Sequence, residues 1–484
     1  MPALSPSKSN APFSDRFPFD IEKRILFHAL ALPPFYPSKE VTDAEFTTLA
    51  LAAQTGRARK AGRIKARLET QRAALSCMTV CKAWKGEATK YLYIEPYLTS
   101  DNLYAFSRTL RRGDKRWSDI NIHPASTPGR WVRTLDLTCL HQGEATLHST
   151  ILAKSCATVF PLIPNLQHLS LPAGLSASTL HDISEAAFAS KLVSLLGLEV
   201  DYEWQQDPEG RPTSSASELL LSMPNLELLG LCGPGNILAE AQPLDVGNLI
   251  PHLSLRRLHT LLLQGVLTGP VLASLIETDL PSLTRLHITS FWQYPSDLTE
   301  TFQQTHGSSV KCLSYMPIRQ TERPSTSPEP TFVWHPNVTH IGFATACCEI
   351  LTQGPQTGLS HLRLSKPGPA GNETGDTEAV LACLSKAKSH GISLITMDGL
   401  RWVKLNLGEK AMSTGYSGQM RVWAEKLRAV GITMLDMDGR SYPSTFIAGV
   451  GHGLGPFRDG SRRRRPSEGQ GTRVRPEKLY EDGA

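Results

Sequence analysis

At 484 residues, with 40% hydrophobic and 20% charged residues, the chain has a folded protein's composition and room for about two to four domains. It has no run of 18 apolar residues, and the opening MPALSPSKSNAPFSDRF lacks the apolar centre of a secretory signal. No membrane span is expected, and a cytoplasmic or nuclear location is. Nine cysteines, spread from Cys77 to Cys383 without a C-x-x-C pair, argue against a disulfide framework and a zinc ribbon.

The net charge of +5 is concentrated in two places. Residues 57–72 hold seven Lys or Arg against one Glu (+6), and residues 447–484 hold eight against five acidic residues (+3), which leaves −4 for the remainder. The body is therefore mildly acidic, which disfavours nucleic acid as a partner. Residues 1–12, rich in Ser, Pro and Asn, read as a disordered leader.

A first helix is expected within FPFDIEKRILFHAL, residues 17–30. Pro18 suits the first turn, Asp20 sits near the positive end of the helix dipole, and Ile21, Ile25, Leu26, Ala29 and Leu30 form an apolar stripe. Residues 33–72 intervene, opening with PPFYPSKEV and running through a helix from Asp43 into the basic segment. A second apolar face follows in AALSCMTVCKAWKGEATKYLY, residues 73–93, where Leu75, Met78, Cys81, Trp84, Ala88 and Leu92 recur at three- and four-residue steps. Two such helices hold too little core to stand alone.

This pairing of F-P-F-D-I-E-K-R-I-L with a later V-C-K-A-W and a Leu-Tyr ending resembles the F-box of fungal, basidiomycete-type F-box proteins. Phe17 stands where that family has Leu, and residues 33–72 replace a short connection. The resemblance implies a helical head over 13–98 that seats a Skp-family adaptor and, through it, a cullin scaffold. Carried over, the adaptor-binding or head-packing residues are Pro18, Ile21, Ile25, Leu75, Val80, Cys81, Trp84 and Leu92.

From 99 to 446 the texture changes to a recurring unit, apolar-x-x-apolar-x-apolar. The eleven matches run from Val132-Leu135-Leu137 through Val193-Leu196-Leu198 to Ile432-Leu435-Met437, with spacings of 21 to 40 residues between middle positions. Four units enter their strand through a proline tripeptide: Pro164-Asn165-Leu166, Pro224-Asn225-Leu226, Pro281-Ser282-Leu283 and Pro336-Asn337-Val338. Proline stops the preceding helix, so the tripeptide reads as a helix stop and strand start. Gly391 and Gly431 fit the left-handed residue that ends a helix. Helices are expected from Thr179, Ser215, Asp376 and Gln419. Strand and helix alternating at this period give an α/β fold, a leucine-rich-repeat-like solenoid with a parallel sheet. The basidiomycete-type resemblance extends to this combination of head and irregular repeats. Residues 316–332, rich in Pro, Ser and Thr, read as a loop, and 447–484, with Arg462–Arg465, as a disordered basic tail.

No catalytic motif, cofactor loop or metal spacing stands out. GPGNIL at 233–238 lacks the lysine of a phosphate-binding loop, and G-x-S-x-G is absent. The chemistry expected is recognition of a protein target. Strand positions between the buried leucines fall on the sheet's concave face, which nominates Thr134, Asp136, His168, Ser170, Arg285, His287, His340, His361 and Arg363 as target-binding residues. His340 and His361 occupy equivalent positions of successive units, about 4.8 Å apart if the strands are neighbours. A positive lean of this face would favour an acidic or phosphorylated segment. The function expected is that of a non-catalytic substrate receptor of a Skp–cullin–F-box ubiquitin ligase. The alternative is a repeat scaffold without ligase association, its head helices splayed by the long insertion.

Overall fold

The computed structural model describes residues 24, 26, 30, 57–118, 128–138, 153–172, 174–200, 205–206, 212–233, 252–266, 269–290, 297–317, 331–344, 351, 358–365, 382–397, 416–436 and 439–441. The chain divides into a unit over Met1–Tyr442 and a second over Pro443–Ala484. The expected leader 1–12 and the tail 447–484 lie outside the described residues, as do 33–56 of the head insertion.

Eleven strands form one parallel sheet: β1 (Thr134–Asp136), β2 (His168–Ser170), β3 (Ser194–Glu199), β6 (Leu228–Cys232), β7 (Thr260–Gln264), β8 (Arg285–Ser290), β9 (Cys312–Pro317), β10 (His340–Ala344), β11 (His361–Ser365), β12 (Leu394–Met397) and β13 (Thr433–Leu435). They follow one another in chain order. A small antiparallel pair, β4 (Gln205–Gln206) and β5 (Pro212–Thr213), branches off after β3. Among the described residues the bounded helices are α1 (Arg57–Met78), α2 (Lys82–Ile94), α3 (Ser100–Ser118), α4 (Ala177–Ser184), α5 (Ser215–Leu221), α6 (Pro270–Glu277), α7 (Asp297–His306), α8 (Thr331–Trp334) and α9 (Tyr416–Ala429), and residues 153–159 and 382–386 are helical as well. This is an α/β solenoid of the leucine-rich-repeat-like kind, one strand per expected unit. No described helix is long and apolar enough to cross a membrane.

Register explains why the sequence pattern works. Leu135, Leu169, Leu195, Leu229, Leu261, Leu286, Leu313, Ile341, Leu362, Ile395 and Met434 are paired in an unbroken series across the sheet, none more than 3% exposed. Three residues earlier in all but the last unit, a second buried series runs from Val132 and Leu166 to Ile392, and Ile432 extends it. Burying an aliphatic side chain is worth about 1.5 to 3 kcal/mol, and each repeat has only its neighbours to bury against.

Two units are read one residue out of step by spacing alone. In the third the core residues are Leu192, Leu195 and Leu198, not Val193 and Leu196, because a register irregularity lies between Leu195 and Leu198. In the last, Met434 is buried rather than Leu435, and Asp436 folds the chain back, its Oδ1 accepting from the Arg440 amide at 2.8 Å. The expected loop 316–332 is also shorter, since Met316 and Pro317 complete β9 and α8 begins at Thr331. Gly391 and Gly431 do take left-handed φ, at 84° and 80°.

The proline tripeptides do more than stop helices. Asn165 Nδ2 donates to the Arg130 carbonyl (3.1 Å), Asn225 to Ser190 (2.6 Å) and Asn337 to Ser308 (2.7 Å), while the Ser282 hydroxyl donates to Arg256 (2.7 Å). Each bond ties a strand entry to the turn of the preceding repeat. The backbone does the same: the carbonyls of Arg133, Gln167, Val193, Glu227, His259, Thr284, Lys311 and Thr339 each accept two amides from the following unit. Nothing in the hydrophobic pattern announces these stitches.

Replacing Asn225 and Asn337 together by alanine is expected to cost about 2 kcal/mol, near 1 kcal/mol for each lost bond. A lowered urea midpoint with unchanged slope checks this.

Candidate functional site: the head surface and the polar face of the sheet

The head is built by a break in what periodicity reads as one helix. α1 ends at Met78 and α2 begins at Lys82, with Cys81 between them in extended backbone (φ −159°), its Sγ accepting from the Trp84 amide at 3.5 Å. The β-region geometry is that of an N-cap residue. The basic residues of 57–72 lie on α1 itself, so the helix crosses the expected end of the insertion. Arg24, Leu26 and Leu30 are helical, and Leu26 and Leu30 are buried against Ala74 of α1 and Ala88 of α2. Cys77, Met78, Trp84, Tyr91 and Leu92 pack around this cluster.

The break sorts the residues carried over from the resemblance. Trp84 and Leu92 pack inward and Cys81 caps. Leu75 and Val80 face solvent, 54% and 58% exposed, so Leu75 does not lie on the packed face that a single helix would give it. Pro18, Ile21 and Ile25 lie outside the described residues. The head is continuous with the first repeat: the Arg133 amide donates to the Ile94 carbonyl (3.0 Å), and the Tyr93 ring lies 6.0 Å from Trp131 and 6.4 Å from Phe106 of α3.

On the sheet, strand alternation puts all nine nominated residues on the face opposite the leucine series, as expected. Exposure is where the expectation fails. Thr134, Asp136, Ser170, Arg285, His287, His361 and Arg363 are all buried, His287 completely, and His168 and His340 are partly so. Pleat position fixes the face a side chain takes and not its access to water. His340 and His361 are register partners with ring centroids 5.4 Å apart, and His361 Nε2 lies 2.9 Å from the Thr396 hydroxyl. His287 Nε2 lies 2.9 Å from the Thr289 hydroxyl.

The expected positive lean also needs correction. Burial, then His340 and Arg363, pushes His361 down to about 4; burial alone pushes His168 to about 4 and His287 to about 3. These three imidazoles are neutral at pH 7, and an acidic target finds no histidine charge on them. Thiol chemistry is no better served. Burial, then Glu199, lifts Cys232 to about 11, and burial, then Asp182, lifts Cys156 to about 12, so both remain protonated and unreactive. Among the described residues no group of three His, Cys, Asp or Glu is placed to hold a metal ion.

One feature escaped the sequence reading. Leu171, Pro172, Leu175, Leu180, Gly197 and Glu199 line a cleft of about 180 Å³ where β2 and β3 end. Its signal was the extra residue in the third unit, which the spacing count absorbed by moving the motif one place.

No protein-family model matches the chain, and no curated protein does. Among solved structures, a crystal structure of a Bacteroides fragilis protein is similar at 14% identity, over 72% of this chain and 75% of that one, with a TM-score of 0.31.

The depressed histidines set a pH dependence. Between pH 6.5 and about 4 the unfolded chain takes up protons that folded His361 and His168 refuse, so their neutral burial costs nothing above pH 6.5 and destabilises as pH falls. The urea midpoint should drop between pH 7 and pH 5. His361→Gln, which retains a partner for Thr396, should flatten that slope.

Proposed function

We propose that the protein is the substrate-recognition subunit of a Skp–cullin–F-box ubiquitin ligase, taking the Skp-family adaptor on its head and a protein target on its repeats. The observation that carries this reading is the division of the head's apolar residues. Leu26, Leu30, Ala74, Ala88, Trp84 and Leu92 make the helices pack on one another, while Leu75 and Val80 are left in water at the joint of α1 and α2. Two large apolar side chains beside a helix break suit a helix-in-groove partner that covers them.

Leu26 and Leu30 share one core cluster with Ala74 of α1 and Ala88 of α2, which supports a packed head rather than a splayed one. This weighs against the scaffold alternative, whose argument was splaying. On the ligase reading the chain makes and breaks no bond. It holds a target near the ubiquitin-charged enzyme and turns transfer into an effectively intramolecular event. Such a complex works in the cytoplasm or nucleus.

The test is capture of purified Skp-family adaptor and cullin by the full chain and by a Leu75→Asp, Val80→Asp variant. Each apolar side chain withdrawn from an interface is worth about 1.5 kcal/mol or more, so capture should weaken at least about tenfold while the urea midpoint stays within error. Full capture by the variant, or none by the unaltered chain, would leave only the scaffold.

A further inference from the structure

The third repeat departs from its neighbours, and the departure builds the cleft. β3 carries an extra residue between the paired positions Leu195 and Leu198. Gly197 absorbs it at φ 76°, where an added Cβ would lie 2.5 Å from the Leu171 carbonyl oxygen, so only glycine fits. Such bulges re-aim the side chains that follow them. Here Leu198 returns to the core and Glu199 is delivered to the rim opposite Cys232. Its Oε2 accepts from the Gly174 amide at 2.7 Å, which holds the carboxylate at the cleft. Leu171, Pro172, Leu175 and Leu180 supply apolar walls. A cavity of about 150 Å³ takes a benzene-sized group, so about 180 Å³ admits one long side chain and little more.

We propose that this cleft receives a lysine or arginine side chain from a basic segment of a protein partner. Leucine and proline walls on one side, with Ser215 and a positioned carboxylate also in the lining, match an aliphatic stem with a cationic head. Charge agrees along the chain. From Glu199 the sequence runs into 201–211, which carries Asp201, Glu203, Asp207 and Glu209 against Arg211 alone. The chain outside its two basic segments is net acidic. The sign is opposite to the one first expected of the target face, and it does not rest on the ligase reading, since a scaffold would use the same cleft.

The experiment is fluorescence anisotropy with the full chain and a fluorescein-labelled peptide carrying a central Lys-Arg pair among Gly, Ser and Ala, beside a Gln-Gln counterpart. The Lys-Arg peptide should bind at least about tenfold tighter than its counterpart. Glu199→Gln, whose amide oxygen can still accept from Gly174, should remove most of that preference, and Glu218→Gln on the exposed side of α5 should not. Equal losses in the two variants would reduce the binding to general charge attraction and overturn the assignment. So would no preference in the unaltered chain, or binding that emerges only when Arg462–Arg465 are changed to alanine, which would mean that the chain's own tail fills the cleft. The Leu75→Asp, Val80→Asp variant should bind the peptide normally, so failure of adaptor capture and failure of the cleft are read separately.

Discussion

The structure depends on the parallel register of one buried aliphatic position per repeat. From Leu135 to Met434, each unit offers a strand too short to bury its own apolar face. Stability comes from neighbours, and a residue placed one position out would send its side chain to the wrong face. This constraint explains why spacing is free to vary from 21 to 40 residues while the strand motif is not. Connections can lengthen at small entropic cost; the strand ladder cannot shift. The asparagine and carbonyl stitches serve the same end, fixing each strand entry against the turn before it.

The two surfaces proposed for recognition lie at local breaks in otherwise regular elements. At the head, Cys81 interrupts a helical pattern and leaves Leu75 and Val80 outside the packing that Trp84 and Leu92 complete. In the third repeat, Gly197 interrupts a strand and carries Glu199 to a cleft. By contrast, much of the regular polar face is closed: His287 and Arg363 are buried in it, and His168 and His340 partly so. Regularity builds the frame here, and irregularity opens it.

The sequence by itself determined the α/β repeat architecture, the eleven strands, the strand-entry tripeptides, the left-handed glycines and the pairing of His340 with His361. All of these follow from local periodicity, from backbone preferences of Pro and Gly, and from the two-residue alternation of a strand. It could not tell that α1 and α2 are separate helices, because three- and four-residue steps continue across a short break. It misplaced the core of the third and last units, because an inserted residue and a closing turn both preserve the count of leucines while changing which one faces inward. Nor could it tell that His287 and His361 are buried and held neutral, since exposure and pKa depend on what the rest of the chain packs against a face. Those properties are decided by contacts between residues far apart in sequence, and only the tertiary structure sets them.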